Sequence, residues 1–148
     1  MKIQEEVIIR SPRAIVWQLI TDIEGSAKVI SGIEKIEILE NPVNSLVGLK
    51  WEETRTMFGK TATEIMWITE VVEGSSYKTQ ADGPGVVYIS SLGLREEGDQ
   101  TILTMGFDTV SSSIGARIIS SVMGFFFSKA TRDAIKQDLV DIKNAAES

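Results

Sequence analysis

The alternation of apolar and polar residues divides this chain into two kinds of segment. Alternation of period two, typical of strands, recurs through residues 33–110, whereas residues 113–147 predict one long helix. Residues 3–9 alternate in the same way and predict a first strand with one mostly apolar face. Six further strands are predicted at residues 33–40, 48–58, 60–73, 76–82, 86–96 and 100–110.

Turn-forming residues separate these strands. Reversals are expected at residues 41–42, 59, 74–76, 82–85 and 97–99, where glycine, asparagine and proline supply the required backbone angles. Because these connections are short, successive strands should pair antiparallel. Ser11 and Pro12 predict the N-cap and first residue of a short helix, and Gly25 is expected to end it. The apolar face of that helix is expected to comprise Ile15, Val16, Leu19, Ile20 and Ile23.

The long C-terminal helix constrains the shape of the sheet. At ~1.5 Å per residue it would span roughly 50 Å, more than the ~30 Å width of a small domain. Only a curved sheet could cover such a helix, and a curved sheet leaves space beneath it. That space is the candidate functional site.

The apolar face of this helix changes side near Ser128. Either the helix bends or breaks around residues 124–128, or its first half packs against a ligand, a partner subunit or a loop. The earlier apolar residues are Ile118, Ile119, Val122, Met123, Phe125, Phe126 and Ala130, and the later ones, nearly opposite, are Ile135, Leu139, Ile142 and Ala146.

Composition narrows the function classes. With 148 residues, 43% of them hydrophobic, the chain is expected to form a single domain over residues 1–148. A net charge of -6 without a long basic block argues against nucleic acid as a partner. The chain contains no cysteine and no histidine, so we expect no metal site, and since no phosphate-binding loop is found, no cofactor.

Neither a signal peptide nor a transmembrane segment is predicted. Glu5 and Glu6 interrupt the N-terminal apolar residues, and no apolar run reaches the ~20 residues that a membrane span requires. A cytoplasmic location is therefore expected.

The strand at residues 48–58 carries charged residues on the same face as apolar ones. If Trp51 and Met57 point inward, so do Glu53 and Arg55. Inward charges would need a partner, water or an anionic ligand. The alternative is that this face lies outside and carries a solvated salt-bridge ladder.

The chain resembles the START-like superfamily, also called Bet v 1-like or SRPBCC, and within it the polyketide cyclase/dehydrase-type branch. The resemblance spans nearly the whole chain. It rests on Ser11-Pro12, Val16-Trp17, Leu19 and Thr21-Asp22; on residues 48–52, Arg55, Gly59-Lys60 and residues 68–70; and on Leu139, Ile142-Lys143 and Ala146-Glu147.

This resemblance implies an α+β helix-grip fold. In that fold a seven-stranded antiparallel curved sheet wraps around a long C-terminal helix, with short helices after strand 1 and a hydrophobic cavity inside. It also favours Ala62, Glu64, Met66 and Ile68 as the inward face of their strand, which makes Glu64 a candidate partner for Arg55. Members of the superfamily bind lipids, sterols, quinones, plant hormones or polyketides, and some catalyse cyclisation.

Three functions follow as hypotheses. We favour the binding or carrying of a small hydrophobic molecule, such as a lipid, a quinone or a polyketide-like compound, over an enzymatic role. The candidate ligand-binding residues are Trp51, Arg55, Met57, Glu64, Met66, Tyr88, Phe107, Ile118, Val122 and Phe125.

The two alternatives use other chemistry. A cyclase or dehydratase would employ Tyr88, Glu64 or Asp108 as acid or base and Arg55 to stabilise an enolate, without metal or cofactor. A protein-interaction or homodimerisation module would instead dock through Ile119, Met123 and Phe126.

Overall fold

The structure is a computed structural model that describes residues 2–57, 59–83, 85–111 and 114–148. The side chains of residues 57, 111 and 114–128 lie outside that description.

Seven strands and a long C-terminal helix form the fold, as predicted. The strand bounds agree with the sequence prediction to within two residues, because alternation and turn residues mark both ends of each strand. The elements are β1 (Lys2–Ile9), α1 (Arg13–Thr21), α2 (Ser26–Val29), β2 (Ile33–Glu40), β3 (Lys50–Met57), β4 (Lys60–Val72), β5 (Ser76–Gly83), β6 (Val86–Glu97), β7 (Gln100–Ser111) and α3 (Ile114–Glu147).

All seven strands belong to one antiparallel sheet in the order β1-β7-β6-β5-β4-β3-β2. Positive φ angles at Gly59, Gly74, Gly85 and Gly98 confirm the predicted reversals between strands β3 to β7. Register shifts interrupt the β2/β3 and β4/β5 pairs, the latter between Ile68 and Glu70. Such irregularities bend strands, which lets the sheet curve around α3.

The hydrophobic core lies where α3 and α1 pack against β1 and β7. Ile135, Leu139 and Ile142 are buried there, which confirms the later apolar face predicted for the long helix. Trp17 of α1 is buried against Tyr77, and the two rings meet edge to face with centroids 6.2 Å apart. The Tyr77 hydroxyl donates to the Ile20 carbonyl at 2.9 Å, which fixes α1 on the sheet.

The predicted limits of the first helix were wrong. Pro12, not Ser11, occupies the N-cap, and the buried Ser11 accepts a hydrogen bond through its carbonyl from the Thr101 hydroxyl at 2.7 Å. The helix ends at Thr21, where Asp22 follows and its Oδ1 accepts a hydrogen bond from the Gly25 amide at 3.1 Å. That side-chain bond turns the chain before Gly25 is reached.

Two further expectations about helical faces have different outcomes. Ile15 was expected on the apolar face of α1, but it is 46% exposed. The change of face near Ser128, with the residues from Ile118 to Phe126 that define it, involves side chains outside the described residues. Within the described residues, no helix combines the length and the apolar character needed to cross a bilayer.

Candidate functional site

A cavity of about 400 Å³ lies between the concave face of the sheet and helix α3. Strands β3 to β7 supply one wall, and α1, α2 and the second half of α3 supply the other. Most of the described lining is apolar, and the volume falls in the ~300–1,000 Å³ range of small-molecule sites. The apolar lining includes Leu19, Ile20, Ile23, Val29, Ile30, Ile33, Leu92, Met105, Ile135 and Ile142.

The predicted ligand-binding residues fall into two groups. Trp51, Arg55, Glu64, Met66, Tyr88 and Phe107 all line the cavity. The side chains of Met57, Ile118, Val122 and Phe125 lie outside the described residues. Asp108, the remaining candidate acid or base, follows Phe107 on β7 and is not part of the described lining.

The charged face of β3 points inward. Trp51 is buried, and Glu53 and Arg55 line the cavity with side chains 12% and 22% exposed. The alternative of a solvated ladder on the outer face was therefore wrong. In β4, Ala62, Glu64 and Met66 also line the cavity, as the resemblance implied.

Arg55 sits at the centre of an ionic cluster formed with Glu53 and Asp138. Its Nε donates to Glu53 Oε2 at 3.2 Å, and its Nη1 lies 3.1 Å from both carboxylate oxygens of Asp138. Trp51 Nε1 donates to the other oxygen of Glu53 at 3.3 Å. The ionic cluster thus joins β3 to α3 across the cavity wall.

The prediction that Glu64 pairs with Arg55 was wrong. In the antiparallel register Glu64 lies opposite Glu53, while Arg55 lies opposite Ala62. Glu53 is two residues from Arg55 on the same face, and Asp138 reaches it from the helix above, so those two carboxylates bind it instead.

Sequence reasoning missed Asp138 as a site residue. It follows Thr131 and Ala134 along one row of α3, and all three line the cavity. A polar residue next to the apolar positions Ile135, Leu139 and Ile142 was the available signal. Thr79, Ser90 and Thr131 are further lining residues that were not predicted.

Burial perturbs the acidic groups around the cavity. Burial raises the pKa of Asp138, although Arg55 opposes that shift. Burial also raises the pKa of Glu64, and the neighbouring Glu53 carboxylate raises it further. Burial and Glu64 together raise the pKa of Tyr88. Burial lowers the pKa of Arg55, but its two carboxylate partners outweigh that effect and the net pKa is raised.

An aromatic pair forms the wall beyond Glu64. The rings of Tyr88 and Phe107 stack with centroids 5.9 Å apart and an interplanar angle of 27°. Gly83 leaves room for this arrangement, since a Cβ there would lie 2.9 Å from Tyr88 Cε2. The stack offers a flat apolar surface with one hydroxyl, which suits an aromatic or polycyclic ligand.

An outer cleft adjoins the cavity on the far side of the ionic cluster. It is lined by Ser31, Gly32, Thr56, Asp133, Ala134 and Gln137 together with Arg55 and Asp138. Arg55, Ala134 and Asp138 line both spaces, so the ionic cluster lies in the partition between them. Ser31 is fixed to α3 by bonds from its amide and hydroxyl to Asp141 Oδ2, at 2.9 and 2.8 Å.

The described site contains no grouping of acidic side chains suited to hold a metal ion. Its polar chemistry consists of the ionic cluster, the Glu64 carboxyl, the Tyr88 hydroxyl and the alcohols of Thr79, Ser90 and Thr131. These groups can orient a bound molecule through hydrogen bonds.

Comparison with protein-family models and with curated protein sequences found no match. Solved structures with the same fold are numerous. The Zhui aromatase/cyclase from Streptomyces sp. R1128 matches with a TM-score of 0.82 and 16% identity, covering 99% of this chain and 93% of that one.

Two other solved structures extend the likeness. Major latex-like protein 151 from Panax ginseng matches with a TM-score of 0.78 and 12% identity over 100% of this chain and 98% of that one. A START superfamily protein from Mycobacterium smegmatis matches with a TM-score of 0.66 and 12% identity over 92% and 97%. Sequence identity this low establishes the fold alone. The chain accordingly has the helix-grip fold of the START-like, Bet v 1-like superfamily.

Proposed function

We propose that this protein binds and carries a small hydrophobic molecule in the cavity between its sheet and helix α3. The observation that carries the proposal is the cavity itself, about 400 Å³ in volume, with walls that are mainly apolar and polar groups gathered on β3, β4 and α3. Binding sites for drug-sized molecules combine these two properties.

The energetics of an empty space support a bound molecule. At ~24 cal/mol per Å³, leaving the whole volume empty would forfeit about 10 kcal/mol, which rivals the stability of an entire domain. Water can relieve this deficit near the ionic cluster, where polar partners are available. Water gains little beside Ile20, Leu92 and Met105, so an apolar guest is favoured there.

Binding is favoured over catalysis because Arg55 is already engaged. A cyclase of the kind considered above would need its guanidinium directed at a developing enolate. Here two carboxylates bind that guanidinium, one of them through both oxygens. The aromatase/cyclase among the structural neighbours supports a planar, ring-containing ligand, and the Tyr88–Phe107 stack offers a surface for it.

Filling the cavity tests the proposal. The neutral fluorophore N-phenyl-1-naphthylamine brightens in apolar surroundings, so titration should give a saturable signal with one site per chain. Ser90→Phe places a large side chain in the cavity lining and should weaken binding by about tenfold or more. Circular dichroism would show that the variant folds.

Ser91→Phe is the matched control. Ser91 lies on the opposite face of β6, near the outward side of Gly106, and does not belong to the described lining. The affinity of the Ser91→Phe variant for N-phenyl-1-naphthylamine should stay within about twofold of the wild-type affinity. Equal affinities for Ser90→Phe and the wild type, or a wild-type signal that never saturates, would overturn the proposed function.

A further inference from the structure

We infer that the cavity selects hydrophobic molecules that carry a hydrogen-bond donor and no negative charge, because carboxylates outnumber the guanidinium around it. This inference rests on the proposed function and names the chemical class of its ligand. The expected ligands are phenols, alcohols and amines, whereas molecules with a free carboxylate, sulfonate or phosphate are excluded.

The first argument is the charge of the ionic cluster. Glu53 and Asp138 both face the cavity, and both bind Arg55 within 3.2 Å. Two carboxylates on one guanidinium leave the ionic cluster with a net negative charge. Because Glu53 and Asp138 already bind Nε and Nη1 of Arg55, an anionic ligand that approached the guanidinium would lie beside two carboxylates, and their combined charge outweighs that of Arg55.

The second argument is the position of Glu64. It lies directly opposite Glu53 in the β3/β4 ladder, and like charges facing each other across strands repel. Both residues line the cavity. Within the described part of the chain Glu64 makes no hydrogen bond or ion pair, so its oxygens can accept a proton donor from a ligand.

The remaining cation of the described lining does not offset these charges. Lys60 stands at the start of β4, opposite Met57 in the register, and it is exposed to solvent. Water and salt screen the exposed Lys60 more than the largely buried carboxylates of Glu53 and Asp138, and they screen the exposed Glu64 to a similar degree as Lys60. A negative charge on a ligand would therefore meet mainly Glu53 and Asp138, with Glu64 adding a weaker repulsion.

A matched pair of probes tests this selectivity. N-phenyl-1-naphthylamine carries an N–H donor and no charge, and 1-anilinonaphthalene-8-sulfonate has the same rings and N–H with an added sulfonate. At pH 7.5 and physiological salt, the wild type should bind the neutral probe at least about tenfold more tightly.

Removing a carboxylate charge should narrow that preference. Glu64→Gln keeps the shape of the side chain, and it should shift the ratio of the two affinities by about fivefold in favour of the sulfonate. Glu52→Gln is the control, because it removes the same charge from the neighbouring position on β3, which does not line the cavity. It should leave both affinities unchanged.

The outcomes separate the two claims. Equal or tighter binding of the sulfonate by the wild type, with saturable binding of the neutral probe, would overturn the inference and leave the proposed function intact. The inference would also be overturned if Glu64→Gln kept the wild-type preference between the two probes, as the control Glu52→Gln is expected to do. Failure of the neutral probe to bind at all would overturn the proposed function, and the inference with it.

Discussion

The two ends of the sheet face the same helix with different chemistry. Near β1 and β7, the inward residues Ile3 and Leu103 belong to the buried cluster that also contains Leu139 of α3. Near β3 and β4, the inward residues include Glu53, Arg55 and Glu64, and a cavity separates the sheet from the helix.

This difference shows how one sheet can combine a stable core with an open site. Apolar inward residues gain stability by closing on the helix, so the space between them disappears. Charged inward residues lose hydration if the space closes, and this cost opposes closure beside Glu64, which makes no hydrogen bond or ion pair within the described part of the chain. Alternation of apolar residues thus specifies the core, and charges within that alternation specify the site.

The largest expected effect contrasts truncations at the two ends. Leu103 is fully buried, so Leu103→Ala should lower the free energy of unfolding by about 3 kcal/mol. Met66 borders the cavity and is only partly buried, so Met66→Ala should cost about 1 kcal/mol. Urea unfolding measures both, and equal losses would contradict the distinction between core and cavity.

A smaller loss is expected on removing the guanidinium. Arg55→Met leaves Glu53 and Asp138 facing each other without a counter-charge, and should lower the free energy of unfolding by about 2 kcal/mol. Arg95→Met is the control, because Arg95 and its partner Glu6 are both more than half exposed and should contribute less than about 0.5 kcal/mol. Equal effects at the two arginines would mean that the ionic cluster adds no more than a surface pair.

The smallest effect is a gain in stability with a characteristic pH dependence. Glu64→Gln removes the repulsion between Glu64 and Glu53 and should stabilise the protein by about 0.5 kcal/mol at pH 7. In the folded wild type the pKa of Glu64 is raised by burial and by Glu53, while Arg55 opposes the shift and Tyr88 lies nearby. Ionised Glu64 therefore destabilises the fold fully when the pH is above the pKa of Glu64 in the folded protein. This destabilisation fades as the pH falls through that pKa toward the ordinary value of 4.5.

Denaturant unfolding of Glu64→Gln and the wild type between pH 7 and pH 5 checks this sign. The difference between the two proteins should shrink as the pH falls. A difference that grows on acidification would show that Glu64 stabilises the fold as a carboxylate.

Much of the fold follows from local sequence, and the exceptions are instructive. The strands at residues 60–72 and 86–97 were predicted almost to the residue, because alternation and glycine turns are local signals. The end of α1 was missed because a side-chain bond from Asp22, rather than Gly25, turns the chain. Both features are local, yet only the first leaves a repeated pattern.

The site was predictable only in part because its contacts are long-range. Strand alternation placed Arg55 beside Glu53 on one face, and both line the cavity. The partner Asp138 is 83 residues away, and its contact depends on how far α3 is rotated about its axis. Glu64 was chosen as the partner of Arg55 because both were expected to face the same space, but the register places Glu64 opposite Glu53 and Ala62 opposite Arg55.

The most direct test of the central claim is to locate a bound molecule inside the protein by NMR. Met66 of β4 and Met105 of β7 line the cavity from two different strands. With methionine methyl groups labelled with ¹³C and N-phenyl-1-naphthylamine bound, we predict intermolecular NOEs from the naphthyl protons to the methyls of both residues, assigned with Met66→Leu and Met105→Leu. Saturable binding without an NOE to either methyl would place the ligand elsewhere and contradict the account.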